Sequence, residues 1–551
     1  MTEGTVTSAG VAPARDSALA PLSRSGFRAI WSALAGSQMV IWMNTVGAVT
    51  VIAASSGSST LIALVQTANS LPAVVLALVA GAVADIVDRR RLALGVQAGM
   101  LAAVSTLAAL TLSGLVTPAA VLALTLVLGA GMATTFVVYQ AFTPDMVSSE
   151  ELPAAVTLNS VAINLARAAG PALAGLLIAA MSAGALFLIE AGGLLAIMTV
   201  VFRLRPPRSQ RGEAAERFLG ALRAGARFVR FSAPVHSVLV RGGSFTVFAS
   251  ALWALLPVVA LGPLQLHSRG LGVLLGCVGT GAIVGASLLP RLRRRIAFDL
   301  LIALATLGLA LSLLALAYVR SPVLIAPVLL VAGACWVSVL SSLNISAQLV
   351  APEWVRARTL AAFQLVMQGG LASGSLALGI LAGAAGVRTA LLVAAAGLTL
   401  GIAGARRWPL GGAERADLSP ALASSEPVAT VEPAPSDGPV LVTLEYRVAE
   451  TDAGRFRETM HELGRVRCRD AAYAWNLYED LAEPGRYVET FMVDSWQEHL
   501  RQHERLTVAD VELEQRAKSL HRGPGPPVVH HLLGAPRAGR PRRRLLGPDD
   551  Q

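Results

Sequence analysis

Twelve long apolar runs set the hydrophobic pattern of the chain, and short polar stretches separate them. Each run can cross about 30 Å of hydrocarbon as an α-helix, because a helix rises about 1.5 Å per residue. The pattern therefore predicts twelve membrane-spanning helices. They lie at about residues 28–53, 58–84, 92–113, 118–141, 155–181, 184–202, 236–260, 270–290, 297–318, 322–347, 357–382 and 386–404.

The longest polar stretch between two runs divides the predicted helices into two sets of six. We predict an N-terminal six-helix half at 27–203, a central cytoplasmic loop at 204–235 and a C-terminal six-helix half at 236–405. Residues 1–26 are polar and small, without the apolar core of a cleavable signal peptide, and are predicted to form a disordered arm. This part of the chain is predicted to be an all-α polytopic membrane protein.

The pattern changes after the last apolar run. Residues 406–439, rich in Pro, Ser and Ala, are predicted to be a linker, and residues 535–551 a basic tail. Between them, residues 440–534 show strand and helix periodicities in the order βαββαβ, which predicts a soluble α+β domain of the ferredoxin-like class. Its predicted elements are Val440–Val448, Asp452–Arg467, Ala472–Tyr478, Arg486–Asp494, Trp496–Ser519 and Pro527–Leu533.

Composition and charge support a membrane protein and set its predicted orientation. Hydrophobic residues make up 54% of the chain and charged residues 15%, against about 25% charged in soluble domains. The net charge is +10, and arginines cluster at 89–91, 203–230, 291–295 and 356–358. Positively charged loops stay inside, so we predict a multi-pass protein of the plasma or inner membrane with both termini in the cytoplasm. The arginines therefore indicate topology rather than nucleic-acid binding.

A charged loop follows the second apolar run and contains Gly81, Asp85, Arg89 and Arg90. A carboxylate in the last turn of a helix is opposed by the helix dipole, so it needs a cation or a helix N-terminus nearby. The spacing Gly-x-x-x-Asp-x-x-x-Arg-Arg resembles the loop between helices 2 and 3 of the major facilitator superfamily. Ile86 and Asp88 depart from that pattern, which has a basic residue and a glycine there.

The resemblance implies a gating contact on the cytoplasmic side. In the superfamily this carboxylate lies against the N-terminus of helix 11, which here begins near Arg356 and Arg358. Asp85 would gain from the helix dipole and from these arginines only when the cytoplasmic side is closed. Arg89 and Arg90 would complete the cluster. The alternative is that the loop only anchors the topology.

The fifth predicted helix contains Arg167 and the sequence Gly170-Pro171-x-x-Ala174-Gly175. Glycine allows close helix contact, and proline bends the helix and frees carbonyls. The sequence resembles the Gly-Pro antiporter motif of drug-exporting members of the superfamily. A charge at the depth of Arg167 rarely faces lipid, so it binds substrate or coupling ion, pairs with a carboxylate, or snorkels to the membrane edge.

Further polar side chains within the runs are candidates for substrate binding or coupling. Glu190 is the one carboxylate well inside a run, where it either exchanges a proton or forms a structural pair, Arg167 being a candidate partner. Trp42, Trp253 and Trp336 either stack on a ligand or only pack. The uncharged candidates are Asn159, Asn164, Gln66, Asn69, Asn344, Gln364 and Gln368.

The sequence of the soluble domain contains no recognisable set of catalytic residues or metal ligands. His499 and His503 have the i, i+4 spacing of metal ligands, but no third ligand is evident, so we expect no metal and no cofactor. Cys277, Cys335 and Cys468 have neither metal nor redox spacing. In element order and in the stretch Ser495–His503, the domain is similar to dimeric α/β-barrel domains of the antibiotic-biosynthesis-monooxygenase type. That resemblance implies a homodimer.

Residues 27–405 resemble the transmembrane secretion effector branch of the major facilitator superfamily, of the enterobactin-exporter type. The two motifs above carry the resemblance, together with the runs Leu64–Pro72, Ser341–Gln348 and Trp354–Arg358. It implies a non-enzymatic secondary transporter, in which a proton gradient drives export of a small amphipathic or siderophore- or drug-like molecule by alternating access. The alternatives are an importer or transport-linked sensor with a ligand-reading cytoplasmic domain, and a membrane-tethered oxygenase-like protein.

Overall fold

The computed structural model describes residues 20–56, 58–86, 89–148, 151–203, 225–410 and 433–534. Residues 1–19 of the predicted arm, most of the central loop and linker, and the basic tail lie outside these residues. The prediction of disorder is wrong for residues 20–26, which form a 3₁₀ turn and the start of the first helix. The described chain forms two compact units. The first comprises the described residues within 1–215, 239–344 and 363–408, and the second comprises those within 216–238, 345–362 and 409–551. The domain boundaries drawn from the sequence stay predictions.

Among the described residues, twelve helices are long and apolar enough to cross a membrane, which confirms the predicted number. In lipid every backbone polar group needs an internal partner, and a helix meets that need within one segment. The helices are α1 (Ser25–Ser55), α2 (Ser59–Ile86), α3 (Arg89–Leu112), α4 (Pro118–Met146), α5 (Leu152–Ala180), α6 (Ala183–Arg203), α7 (Ala233–Leu261), α8 (Ser268–Arg293), α9 (Phe298–Tyr318), α10 (Pro322–Leu349), α11 (Glu353–Ala385) and α12 (Val387–Gly404).

Small residues allow the helices to approach backbone to backbone. A Cβ added to Gly281 in α8 would overlap the Leu330 carbonyl of α10, and one added to Gly333 in α10 would overlap the Val278 carbonyl of α8. Between α5 and α8, a Cβ on Gly175 would lie 2.8 Å from the Gly272 Cα. Lipid tails are as apolar as leucine, so this close van der Waals packing contributes much of the association between helices.

Several buried polar groups inside the helical part find partners on neighbouring helices. The Gln97 amide of α3 donates to the Ser37 hydroxyl of α1 at 3.0 Å and to the Tyr139 hydroxyl of α4 at 3.2 Å. Arg241 of α7, which is 8% exposed, forms an ion pair with Asp299 in the first turn of α9. Each pairing offsets the desolvation of a group that would otherwise be costly to bury.

The C-terminal domain contains four antiparallel strands in the order β2-β3-β1-β4. Tyr446, Phe456, Phe491 and Trp496 are buried in the core between the sheet and the helices. The ferredoxin-like classification of this domain stays a prediction. Its elements are β1 (Val440–Arg447), α13 (Ala453–Arg469), β2 (Tyr473–Glu479), β3 (Arg486–Val493), α14 (Trp496–Glu504), α15 (Val508–Ser519) and β4 (Val528–Leu533).

The prediction of one continuous helix over Trp496–Ser519 is wrong, because two helices occupy this stretch. Thr507 ends the continuity by acting as the N-cap of α15. Its side chain accepts from the Asp510 N–H, and the Asp510 carboxylate accepts from the Thr507 N–H at 3.0 Å. This reciprocal capping box satisfies two backbone donors that a continuous helix would have bonded internally.

We predict that Gly281→Ala lowers the thermal stability of the detergent-purified protein. The added methyl group forces the backbone of α10 away from α8, and overpacking of this kind costs about 1–3 kcal/mol. Gly99→Ala is the matched control, because a Cβ at Gly99 meets no atom within 4 Å. Thermal melting followed by size-exclusion chromatography measures both variants. Equal melting temperatures for the two would show that close contact at Gly281 does not hold α8 and α10 together.

Candidate functional site

Three tryptophans from three helices form a row of ring contacts, and Arg167 lies on the first of them. Trp42 of α1 and Trp253 of α7 have ring centroids 5.3 Å apart, and Trp253 and Trp336 of α10 are 5.5 Å apart at an edge-to-face angle of 80°. The Arg167 guanidinium carbon lies over the Trp42 ring, 5.3 Å from its centroid. We call Arg167, Trp42, Trp253 and Trp336 the Arg–Trp cluster. It joins helices of the first six, α1 and α5, to helices of the second six, α7 and α10.

The Arg–Trp cluster presents buried N–H groups without protein acceptors. Among the described residues, the N–H groups of Arg167 Nε, Trp253 Nε1 and Trp336 Nε1 donate to no acceptor and are shielded from solvent. The two indoles are 8% and 3% exposed. A buried donor without an acceptor costs about 1–3 kcal/mol of stability. Donors and ring faces together suit an acceptor-rich aromatic group or an anion.

The glycines near Arg167 determine how closely α5 approaches its neighbours. A Cβ on Gly170 would lie 2.7 Å from the Trp42 Cβ, so a larger residue would push α1 and its indole away from α5. Pro171 follows inside the helix, and Gly175 meets α8 one turn later. The three residues predicted as a helix-bend motif therefore lie on α5 faces in contact with α1 and α8.

The predicted gating residues are described only in part. Gly81 and Asp85 lie in α2 and Arg89 begins α3, but their side chains are outside the described residues. The Arg90 guanidinium donates to the backbone carbonyl of Phe202 at the end of α6. Its carbon lies 5.3 Å from the centroid of the Phe202 ring. The gating role of these residues stays a prediction.

The two arginines expected opposite Asp85 lie in the first turns of α11. Arg356 is exposed, and its Nε donates to the Ala351 carbonyl at 3.4 Å. Arg358 is half-buried and lies against Gly225, where an added Cβ would be 2.9 Å from the Arg358 Cδ.

Glu190 is bound to α1 rather than to Arg167. The carboxyl group is 1% exposed and lies 3.2 Å from the Asn44 amide nitrogen, which is equally buried. Arg167 instead uses the face of Trp42, and no carboxylate among the described residues forms an ion pair with it. The suggested Arg167–Glu190 pair is therefore absent from the structure. The geometry of Glu190 fits a structural contact between α1 and α6.

The uncharged candidates are scattered rather than gathered at one point. Gln66 donates to the Ser70 hydroxyl at 3.1 Å, and Asn69 donates to the Thr45 hydroxyl at 3.2 Å. The Asn164 side chain lies outside the described residues. Gln364 is exposed on α11, and the remaining three are half-buried, namely Asn159, Asn344 and Gln368.

A third histidine stands beside the two that the sequence singled out. The His499 ring centroid is 4.9 Å from those of His503 and His531, the latter on β4. Burial lowers the pKa of His499 to about 3 and that of His503 to about 4. No group of three or more His, Cys, Asp or Glu within the described ranges is placed to hold a metal. Sequence spacing missed His531 because it comes from a strand 32 positions after His499.

A family model described as transmembrane secretion effector matches residues 16–539. The enterobactin exporter EntS of Escherichia coli O1:K1 is 31% identical over 209 residues, which are 37% of this chain and 48% of that protein. The same exporter of Shigella boydii serotype 18 matches with the same identity and coverage. The chain thus spans about half the length of the curated relatives it matches.

Solved structures with the same fold cover most of the chain. A bacterial homologue of the human lysosomal transporter Spinster is similar over 69% of this chain and 96% of its own, with a TM-score of 0.57 and 14% identity. A D-xylose–proton symporter is similar over 72% of this chain and 99% of its own, with a TM-score of 0.56 and 12% identity. At these identities the likeness shows the fold.

We predict that Glu190→Leu lowers the amount of folded protein in the membrane, whereas Glu190→Gln does not. Glutamine keeps a partner for the Asn44 amide, but leucine leaves that buried amide unpaired at a cost of about 1–3 kcal/mol. Fluorescence-detected size-exclusion chromatography of solubilised membranes measures both. If the glutamine variant were as depleted as the leucine variant, the carboxyl group itself would matter more than its hydrogen bond.

Proposed function

The chain belongs to the transmembrane secretion effector family of major facilitator transporters, and we propose that it exports a small anionic aromatic molecule, driven by the proton gradient. The Arg–Trp cluster is the observation that supports this substrate class. The family and the relatives are transporters, so the membrane-tethered oxygenase is set aside. The name of the relatives, enterobactin exporter, supports outward transport of a siderophore-like molecule.

The chemistry of the Arg–Trp cluster favours a substrate with negative charge beside an aromatic ring. A guanidinium inside a bilayer is costly, and an anion delivered by the substrate neutralises it. The indoles of Trp42, Trp253 and Trp336 offer faces and edges for aromatic stacking. The unpaired N–H groups of Trp253 and Trp336 would donate to the oxygens of a catecholate or carboxylate.

The helices that contribute to the cluster support this proposal. Major facilitator transporters bind substrate between their two six-helix halves, which rock about that site. Trp42 and Arg167 belong to helices of the first six, and Trp253 and Trp336 belong to helices of the second six. A substrate held by both sets would be released when the halves move apart.

The cytoplasmic gate is the second part of the proposal. We propose that both termini are cytoplasmic and that Asp85 closes this side by binding the start of α11 beside Arg356 and Arg358. A carboxylate there is stabilised by the helix dipole and by the guanidinium groups. Because the contact exists in one conformation only, it shifts the balance between two states of the transporter. The protein would work in the plasma or inner membrane.

We predict that Arg167→Gln reduces efflux of a catecholate siderophore from expressing cells about tenfold or more. Loss of a hydrogen bond to a charged group costs about 1.5–3 kcal/mol, and 1.4 kcal/mol is about tenfold in affinity. Arg320→Gln is the matched control, since Arg320 is exposed and its guanidinium donates to the Ala317 carbonyl three residues earlier. Efflux is measured at matched membrane abundance, with enterobactin as the anionic probe and ethidium as the cationic one.

The same assay tests coupling and direction. An uncoupler should abolish enterobactin efflux by the unchanged protein, and Asp85→Asn should slow it. Efflux that continues with the proton gradient collapsed would contradict proton coupling. Uptake instead of efflux in the same cells would favour the importer. If Arg167→Gln and Arg320→Gln lost the same amount of efflux, the result would contradict a role of Arg167 in binding the substrate.

We also propose that the C-terminal domain pairs with a second copy through the outer face of its sheet. Several apolar side chains of this face are uncovered, including Val528 and Leu532, each 53% exposed, and Tyr473 at 37%. Burying them would stabilise a dimer at about 25 cal/mol per Å² of apolar surface. This pairing would bring two transporters together.

We predict that Leu532→Glu lowers the molar mass of the purified protein in detergent, as measured by light scattering with the detergent mass subtracted. A carboxylate on this face of the sheet would have to be desolvated on pairing. Leu481→Glu is the control, because Leu481 is 98% exposed in the turn after β2. A monomeric unchanged protein, or an unchanged mass in Leu532→Glu, would contradict this dimer.

A further inference from the structure

The C-terminal domain forms one compact unit with two segments that come much earlier in the chain. These segments are the described residues 225–238, which include the start of α7, and residues 345–362, which include the start of α11. A domain connected only through its linker would make no such contacts. The side chains that join the three parts can therefore show what the domain is for.

The first contact is a cation on an indole face. The Arg505 guanidinium carbon lies 4.6 Å from the centroid of the Trp354 ring, within the range of a cation–π interaction. Arg505 is held in place by Glu498, whose Oε1 is 2.7 Å from the Arg505 Nη1. Trp354 also packs edge-to-face on Phe228, with centroids 5.7 Å apart. One arginine of the domain thus reaches an aromatic pair shared by both early segments.

The second contact is at the loop between α13 and β2. Arg469 lies 5.8 Å from the centroid of Phe228, and both Asp470 and Asp510 fix it with oxygens 2.7 Å away. The Arg227 Nη1 donates to the Ala471 carbonyl at 3.0 Å. Ala471 has φ of +101°, a conformation that L-residues rarely adopt. Strain of this kind persists only where the surroundings hold it, and here the strained residue presents its carbonyl to the docked segment.

Both contacts lie close in the chain to Arg358, one of the residues proposed for the gate. Trp354 is the second residue of α11, and Arg358 follows one turn later. The Arg358 side chain lies against Gly225, three residues before Phe228. From this arrangement we infer that the C-terminal domain is a gate-positioning domain. It holds Trp354 and Phe228 and thereby fixes the start of α11, where Arg358 would meet Asp85; this last step rests on the proposed function.

Hydrogen–deuterium exchange of the full-length protein in detergent tests the docking without any substrate. Arg505→Ala removes the cation from Trp354, and Trp354→Leu removes the same contact from the other side. Arg501→Ala is the matched control, because Arg501 also bonds Glu498, at 3.3 Å, and is the more exposed of the two arginines. Peptides covering 225–238, 353–362 and 81–91 report on the docked segments and on the gate, and peptides covering β3 report on folding of the domain.

We expect exchange at 225–238 and 353–362 to rise about tenfold in Arg505→Ala and in Trp354→Leu, because local opening becomes easier. Exchange at 81–91 should rise as well in these two variants, while exchange in β3 stays unchanged. In the Arg501→Ala variant, exchange should stay unchanged in every peptide. Equal exchange in Arg505→Ala and Arg501→Ala would overturn the docking. A rise at 353–362 without one at 81–91 would overturn the effect on the gate. Failure to transport enterobactin would contradict only the proposed function, since exchange needs no substrate.

Discussion

The burial of the Arg167 cation in an apolar bundle is the constraint on which the candidate site depends. Hydrocarbon cannot solvate a guanidinium, and the described residues supply no carboxylate beside it. The negative face of the Trp42 ring takes that place. Trp42 keeps its position because α1 and α5 approach closely at Gly170, and it carries the contact onward to Trp253. The charge of Arg167 thus orders a row of tryptophan side chains that runs from one set of six helices into the other.

The sequence predicted the helical part well because the signal for a membrane helix is local. A run of apolar residues of sufficient length specifies the element without knowledge of its neighbours. The Arg–Trp cluster was not predictable in this way. Its indoles are in α1, α7 and α10, and each one alone has the pattern of ordinary packing. Only the tertiary structure brings these indoles into contact with one another and places Trp42 under Arg167.

In the soluble domain, the sequence analysis overlooked one local signal and could not predict the distant contacts. Its strands were predicted from alternation, but the break between α14 and α15 was overlooked, although Thr507 and Asp510 stand at capping-box spacing. The helical pattern on both sides hid that local signal. His531 and the contacts of Arg505 were beyond sequence reasoning, because pairing of β4 with β1 and docking on Trp354 are decided by folding.

The contact of Gly175 with Gly272 has a mechanical consequence. Where two helices interlock through side chains, a change of crossing angle must lift each side chain out of one groove and into another. Two facing glycines have no side chains that would have to leave a groove. At this point, α5 and α8 can therefore change their crossing angle at little energetic cost. The contact that brings the two helices closest together is therefore also the point at which no side chain fixes their crossing angle.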